Sequence, residues 1–264
     1  MKITVIIDNL SHREDLASEH GLSLLLQTPE GRLLFDTGAS GQFLQNAQTL
    51  GVRIDKVDHL VLSHAHYDHT GGLADFFQVN HEAKVWVKED FFVGKLKKER
   101  YIGVPHWEYP MERFHFLKDK KEILPGILAV TEIPLRFPED AHFRDFFVEK
   151  NNTRTADTFE EELFLMVPEA GLVVSACSHR GLSNILHAGY DASGVMPSKA
   201  FGGFHLKDDT TEERNAAAGR WKAAGLTTLY AGHCTGENSL PLLQEFFGSN
   251  VTQFGAGDVF EFSP

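Results

Sequence analysis

The run Leu60-Val61-Leu62-Ser63-His64-Ala65-His66-Tyr67-Asp68-His69-Thr70-Gly71-Gly72 sets three imidazoles and a carboxylate within six positions, directly behind an apolar stretch. In an extended segment, side chains two apart share a face. His64 and His66 can therefore grip one ion, while Asp68 and His69, on the turn that follows, can reach a second. Adjacent His and Asp at ligand spacing behind a buried strand have little other use, which sets aside a reading as ordinary surface histidines. The run is a strand that delivers metal ligands.

Upstream, short apolar runs alternate with turns. Residues 3–7, 21–27 and 32–36 read as strands, with Thr28-Pro29-Glu30-Gly31 turning between the last two, so the start resembles a meander. Phe43, Leu44, Ala47 and Leu50 fall at helical spacing, with Ser40 placed to cap the start and Gly51 to end it. Downstream, Lys84-Val85-Trp86-Val87 reads as a strand, after which the pattern weakens until about residue 160, as in an insertion. Order returns with a hairpin over 163–167 and 172–176. A short helix follows over 181–188, stopped by Gly189. A longer one spans 210–224, with capping-box spacing from Thr210 to Glu213 and Gly225 as terminator. A strand over 227–231 then delivers Gly232-His233-Cys234.

Four strand ends thus finish in polar groups: Asp36, the His64 to His69 cluster, His179 and His233. Ligands converging from strand ends make a rigid site. With its Asp36-Thr37-Gly38 turn, its His-x-His-x-Asp-His loop and its late Gly232-His233, the chain resembles the metallo-β-lactamase superfamily over nearly its whole length. Ala176-Cys177-Ser178-His179-Arg180-Gly181, Gly202-Gly203-Phe204-His205-Leu206 and Gly232-His233-Cys234-Thr235-Gly236 look like its dihydropterin synthase-like branch. That branch is named for an archaeal transferase that joins a dihydropterin-methyl diphosphate to an aromatic amine. Most bacterial members are described only as metal-dependent hydrolases.

The resemblance implies an α/β fold, a four-layer αββα sandwich, as a single domain over 1–264 with a cap-like insertion at about 95–160 covering the active site. It implies His64, His66, Asp68, His69 and His233 as metal ligands, with His179 where many members carry a bridging Asp or the third histidine of the first metal. Zinc is the expected ion, one or two per chain, with manganese and iron as alternatives. Asp68 is expected to orient water and accept its proton. Asp36 is expected to hold a ligand imidazole, against the alternative of a turn Asp capping Thr37-Gly38, and His205 to contact substrate or metal-bound water, against that of a sheet-edge histidine. Cys177 and Cys234 read as small buried packing, with strand alternation pointing Cys234 away from His233. His12, His20, His59, His81 and His187 read as surface or cap residues.

The remaining signals concern partners. From Lys95 to Lys121 there are eight Lys or Arg against four acids, interleaved with Tyr101, Trp107, Tyr109, Phe114 and Phe116. Such a segment suits either a solvated helix face or a cap for a flat anionic substrate, such as a phosphorylated heterocycle. The net charge of −12 argues against a nucleic-acid groove or an anionic membrane surface, so a small molecule is the expected partner, with a homo-oligomer left open. Two cysteines, the absence of a signal-like start and the absence of a long apolar run point to the cytoplasm. The expected function is metal-dependent hydrolysis of a small anionic substrate. The alternatives are the transferase of the branch and a di-iron redox or sensor protein, whose expected flavin domain is missing.

Overall fold

Leucine and β-branched residues build a seven-stranded sheet in the order Val259–Glu261, Lys2–Ile7, Ser23–Thr28, Gly31–Phe35, His59–Val61, Lys84–Lys88 and Phe114–Leu117. The computed structural model describes residues 1–150 and 153–263, divided into two units. The first, holding this sheet, spans residues 1–118, 143–162 and 255–263, and the second 119–142 and 163–254. In the first sheet the early strands pair antiparallel, the expected meander, and those from Gly31–Phe35 onward pair parallel. Helices Gln42–Thr49 and Leu73–Val79 bury Phe43, Ala47, Leu73 and Phe76 in one apolar cluster with Leu34 and Leu60 of the sheet.

The second unit repeats this plan. Its seven-stranded sheet runs Val251–Gln253, Thr228–Ala231, Lys199–Gly202, Leu172–Ser175, Phe164–Val167, Ile127–Val130 and Lys121–Leu124. The first four strands are mutually parallel and the rest antiparallel. Helices Leu182–Ser193, Thr211–Ala223 and Leu240–Phe247 bury Ile185, Ala218, Trp221 and Leu243 with Met166 and Leu229 of the sheet. Parallel strands end on the same edge of their sheet, so the residues following each strand gather there. That is what places the polar strand ends together within each unit.

Two expectations change. The helix after His179 runs on through Gly189 to Ser193 and ends at Gly194 with φ 76°. Gly189 is inside it because a Cβ there would press on Pro197 and Val173, at 3.1 and 3.3 Å, so the missing side chain serves packing rather than termination. The stretch read as patternless holds short strands. Gly94–Lys97, Arg100–Tyr101, Phe146–Lys150 and Thr153–Ala156 form a four-stranded antiparallel sheet in the first unit, while Phe114–Leu117 and Lys121–Leu124 join the two larger sheets. Strands of two to five residues with faces as exposed as Thr153–Ala156 show no alternation to read. The capping box stands as expected, with Glu213 N donating to Thr210 Oγ1 and Thr210 N to Glu213 Oε2. No helix among the described residues is long and apolar enough to cross a membrane.

Candidate metal centre

In the first unit, the chain leaves the strand His59–Val61, bends at His64 and Ala65, is extended at His66 (φ −86°, ψ 148°) and then closes into helix Tyr67–Thr70. The bend leaves the His64 and His66 rings 4.6 Å apart between centroids, and Asp68 and His69 sit on the helix. His64 Nε2 and His66 Nδ1 are 3.1 Å apart, close to the roughly 3.3 Å that separates two nitrogens on one tetrahedral ion at about 2.0 Å each. The His64 and His69 rings lie 4.3 Å apart between centroids, and His69 Nε2 is 3.8 Å from Asp68 Oδ2. All four residues are buried.

Asp36 organises this loop. It ends the neighbouring strand at φ 63°, the left-handed region, which a non-glycine residue occupies at a cost. Its carboxylate does not cap the Thr37-Gly38 backbone. Oδ2 instead receives His69 Nδ1 at 2.7 Å and Ser63 Oγ at 2.7 Å, and Oδ1 accepts from Ser63 N at 2.8 Å. With Nδ1 held, His69 presents Nε2 as its ligand nitrogen. Ser63 Oγ also lies 2.9 Å from His64 Nδ1, so one carboxylate orients two rings. Gly71 is needed beside it, since a Cβ there would overlap Ala39 O.

Three neighbours of the loop escaped sequence reading. His20, placed among the surface residues, has Nε2 3.3 Å from Asp68 Oδ2. Phe146 stacks on His66 with centroids 5.4 Å apart, and Phe159 meets His66 edge-on at 5.2 Å. Under Phe159 lies a buried ionic cluster in which Lys95 Nζ is 2.7 Å from both Asp157 Oδ2 and Glu161 Oε1 and 5.0 Å from the ring centroid. Burial, then Glu161, push the Asp157 carboxyl above its ordinary range, against the pull of Lys95. Much of the basic, aromatic segment is engaged in the same unit: Lys97 lies over Phe146, Arg100 over Tyr67, and Arg113 over Phe77 with bonds to Asn80 O and Ala83 O. These contacts hold three of the eight cations in packing within the unit. No side chain in this segment announced it, because aromatic partners 33, 36 and 49 residues away leave no local spacing.

In the second unit, His179, His205 and His233 follow three adjacent parallel strands and are all buried. The His179 and His205 rings are 4.4 Å apart between centroids, and His142, to which the sequence assigned nothing, lies 5.2 Å from His205 and donates its backbone N–H to His179 O at 2.7 Å. Ser178, His205 and His233 all adopt left-handed φ, of 56°, 49° and 48°. These kinks end the strand alternation on which the cysteine reading relied. Cys177 and Cys234 are both buried, as the sequence suggested, and the ligand atom of Cys234 lies within 4.8 Å of those of Cys177 and His205.

A mixed α/β fold with a buried imidazole-carboxylate loop could hold a metal ion, and comparison places it further. The model of the metallo-beta-lactamase superfamily matches residues 19–220, and the chain belongs to that superfamily. It is 28% identical, over 98% of its length and 95% of the relative's, to the 7,8-dihydropterin-6-methyl-4-(beta-D-ribofuranosyl)-aminobenzene-5'-phosphate synthase of Methanocaldococcus jannaschii. The crystal structure of Tm1679, a metal-dependent hydrolase of the beta-lactamase superfamily, matches with TM-score 0.86 and 32% identity over the whole of both chains. A diphosphatase of the PhnP family shares the fold at TM-score 0.55 and 12% identity, covering 99% of this chain and 98% of that one.

The donor chemistry fits a divalent ion. Nitrogen and carboxylate oxygen ligands suit zinc, manganese or iron, and a tautomer-fixing carboxylate on a ligand histidine is the usual support for such an ion.

Proposed function

We infer that the chain is a metal-dependent hydrolase acting on a small anionic substrate, such as a phosphorylated heterocycle. The observation that carries this reading is the His64–His66 nitrogen pair, 3.1 Å apart, beside the His69 ring clamped by Asp36. The ligand set gathered in the first unit is His64, His66, Asp68 and His69. It holds one or two divalent ions, zinc first, with manganese or iron as alternatives.

A divalent ion held by these residues would supply a water acidified toward a pKa of about 7 and a Lewis acid for the oxygen under attack. The rest falls to the chain. Asp68 accepts the proton of the attacking water at a carboxylate oxygen, and Asp36 keeps His69 in one tautomer throughout. Phe146 and Phe159 shield His66 from solvent on one side, which strengthens electrostatic interactions at its ring. Protein purified without chelator, assayed for metal content and for hydrolysis of phosphate esters and lactones, tests the reading. His64→Ala and His66→Ala should lose metal and turnover together, and turnover surviving in metal-free protein would overturn it.

A second reading is favoured by the full-length similarity to the archaeal synthase. There the same residues would serve a transferase joining a dihydropterin-methyl diphosphate to an aromatic amine. Incubation with both reactants separates the two readings. A carbon–nitrogen-linked product with released diphosphate marks a transferase, and the water adduct alone marks a hydrolase.

A further inference from the structure

The second unit gathers softer donors than the first. Cys177, His205 and Cys234 offer ligand atoms that all lie within 4.8 Å of one another, and the three residues are 2%, 6% and 1% exposed. They follow the ends of three mutually adjacent parallel strands, Leu172–Ser175, Lys199–Gly202 and Thr228–Ala231. On a tetrahedral zinc ion, two sulfurs at about 2.3 Å stand about 3.8 Å apart, so the cluster needs to contract by about 1 Å at most to close on an ion.

Two further observations separate this from incidental packing. A Cβ on Gly203 would lie 2.4 Å from Ala176 O and 2.6 Å from Cys234 Sγ, so the bare glycine lets the neighbouring strand end and the thiol both close in. His205 takes φ 49°, a backbone setting that costs a non-glycine residue on the order of 1–3 kcal/mol and that turns its ring in among the cluster. Around it, the three strand ends are tied by backbone bonds: Gly203 N to Ala176 O at 3.0 Å, Gly232 N to Gly202 O at 3.0 Å, and Phe204 N to Thr235 Oγ1 at 3.1 Å. The donors therefore sit on a preorganised frame.

We propose that Cys177, His205 and Cys234 bind a zinc ion in a site made wholly by the second unit. Each thiol releases its proton to solvent as the ion enters and regains it as the ion leaves. The ion would pin three strand ends together through residues other than those assigned to hydrolysis.

Cobalt(II) added to metal-free full-length protein is the probe. The expected result is a near-ultraviolet thiolate-to-cobalt charge-transfer band. It should be lost in Cys177→Ser and in Cys234→Ser and retained in His64→Ala. Zinc should slow reaction of the two thiols with a thiol reagent by about 10-fold or more in the wild type, a readout that needs no variant to fold. No charge-transfer band at saturating cobalt would overturn the proposal. So would a wild-type chain two hydrogens lighter by mass after non-reducing purification, since the thiols would then be joined as a disulfide. A band abolished by His64→Ala would also overturn it, by assigning the cysteines to the hydrolytic ion. Failure of the hydrolase reading shows separately, as metal content unchanged in His64→Ala.

Discussion

At Asp36 one carboxylate accepts from His69 Nδ1, Ser63 Oγ and Ser63 N, so its loss frees two rings at once. Asp36→Asn keeps the size and removes an acceptor. It is expected to weaken metal affinity by about 10- to 100-fold with the far-ultraviolet circular dichroism unchanged, as titration calorimetry of metal-free protein would show. Equal affinity would reduce Asp36 to a turn residue. His64 and His66 belong to the same scale. Replacing either with Ala should lower metal content by elemental analysis, and an unchanged stoichiometry would remove them from the ligand set.

Between elements, a half-buried histidine and a buried lysine set how the first unit responds to pH and substitution. Burial pushes the His59 imidazole below its ordinary range, and Trp86 Nε1 of the next strand donates to its Nδ1 at 3.1 Å, a bond that the neutral ring accepts. A folded-state pKa below the unfolded value contributes stability above the unfolded pKa and loses it as pH falls through the folded one. His59→Gln should therefore flatten the loss of stability from about pH 6.5 to about pH 5 in urea unfolding, and parallel curves for variant and wild type would reject this role. Lys95 carries the opposite sign. Lys95→Met leaves Asp157 and Glu161 buried without their cation and should cost about 3–5 kcal/mol in urea unfolding. Because the Asp157 carboxyl is already pushed up, that loss should grow as pH rises through its raised value and ease as pH falls. A loss independent of pH would mean that lost packing, not charge, dominates.

For the whole chain, a resident ion is part of folding stability, because it binds the folded state and not the dispersed ligands of the unfolded one. At about 100 times its dissociation constant an ion adds about 2.7 kcal/mol, and each kcal/mol moves the midpoint of a chain of this size by about 2–4 °C. Chelation should lower the calorimetric midpoint by several degrees, and added zinc, manganese or iron(II) should restore it in the order of their affinity. Superimposed scans with and without chelator would mean that the protein as purified holds no ion. The net charge of −12 acts at the same scale, by opposing association with polyanions over the whole surface.

The sequence by itself determined the ligand loop, the meander, the hairpin over 163–176 and the capped helix from Thr210. Each is a local pattern, in which spacing along the chain decides which side chains share a face. Only the tertiary structure decided what surrounds those ligands. Asp36 reaches His69 across 33 residues, and Phe146 and Phe159 reach His66 from short strands and a turn that show no periodicity. His20 is exposed, as the sequence suggested, yet only the fold shows its Nε2 3.3 Å from Asp68 Oδ2. The cysteines are buried as the sequence suggested, but that Cys177 and Cys234 meet His205 depends on strand ends where Ser178, His205 and His233 turn left-handed. Contacts of this kind depend on which strands pair and where each one ends, and neither is encoded in the spacing of neighbouring residues.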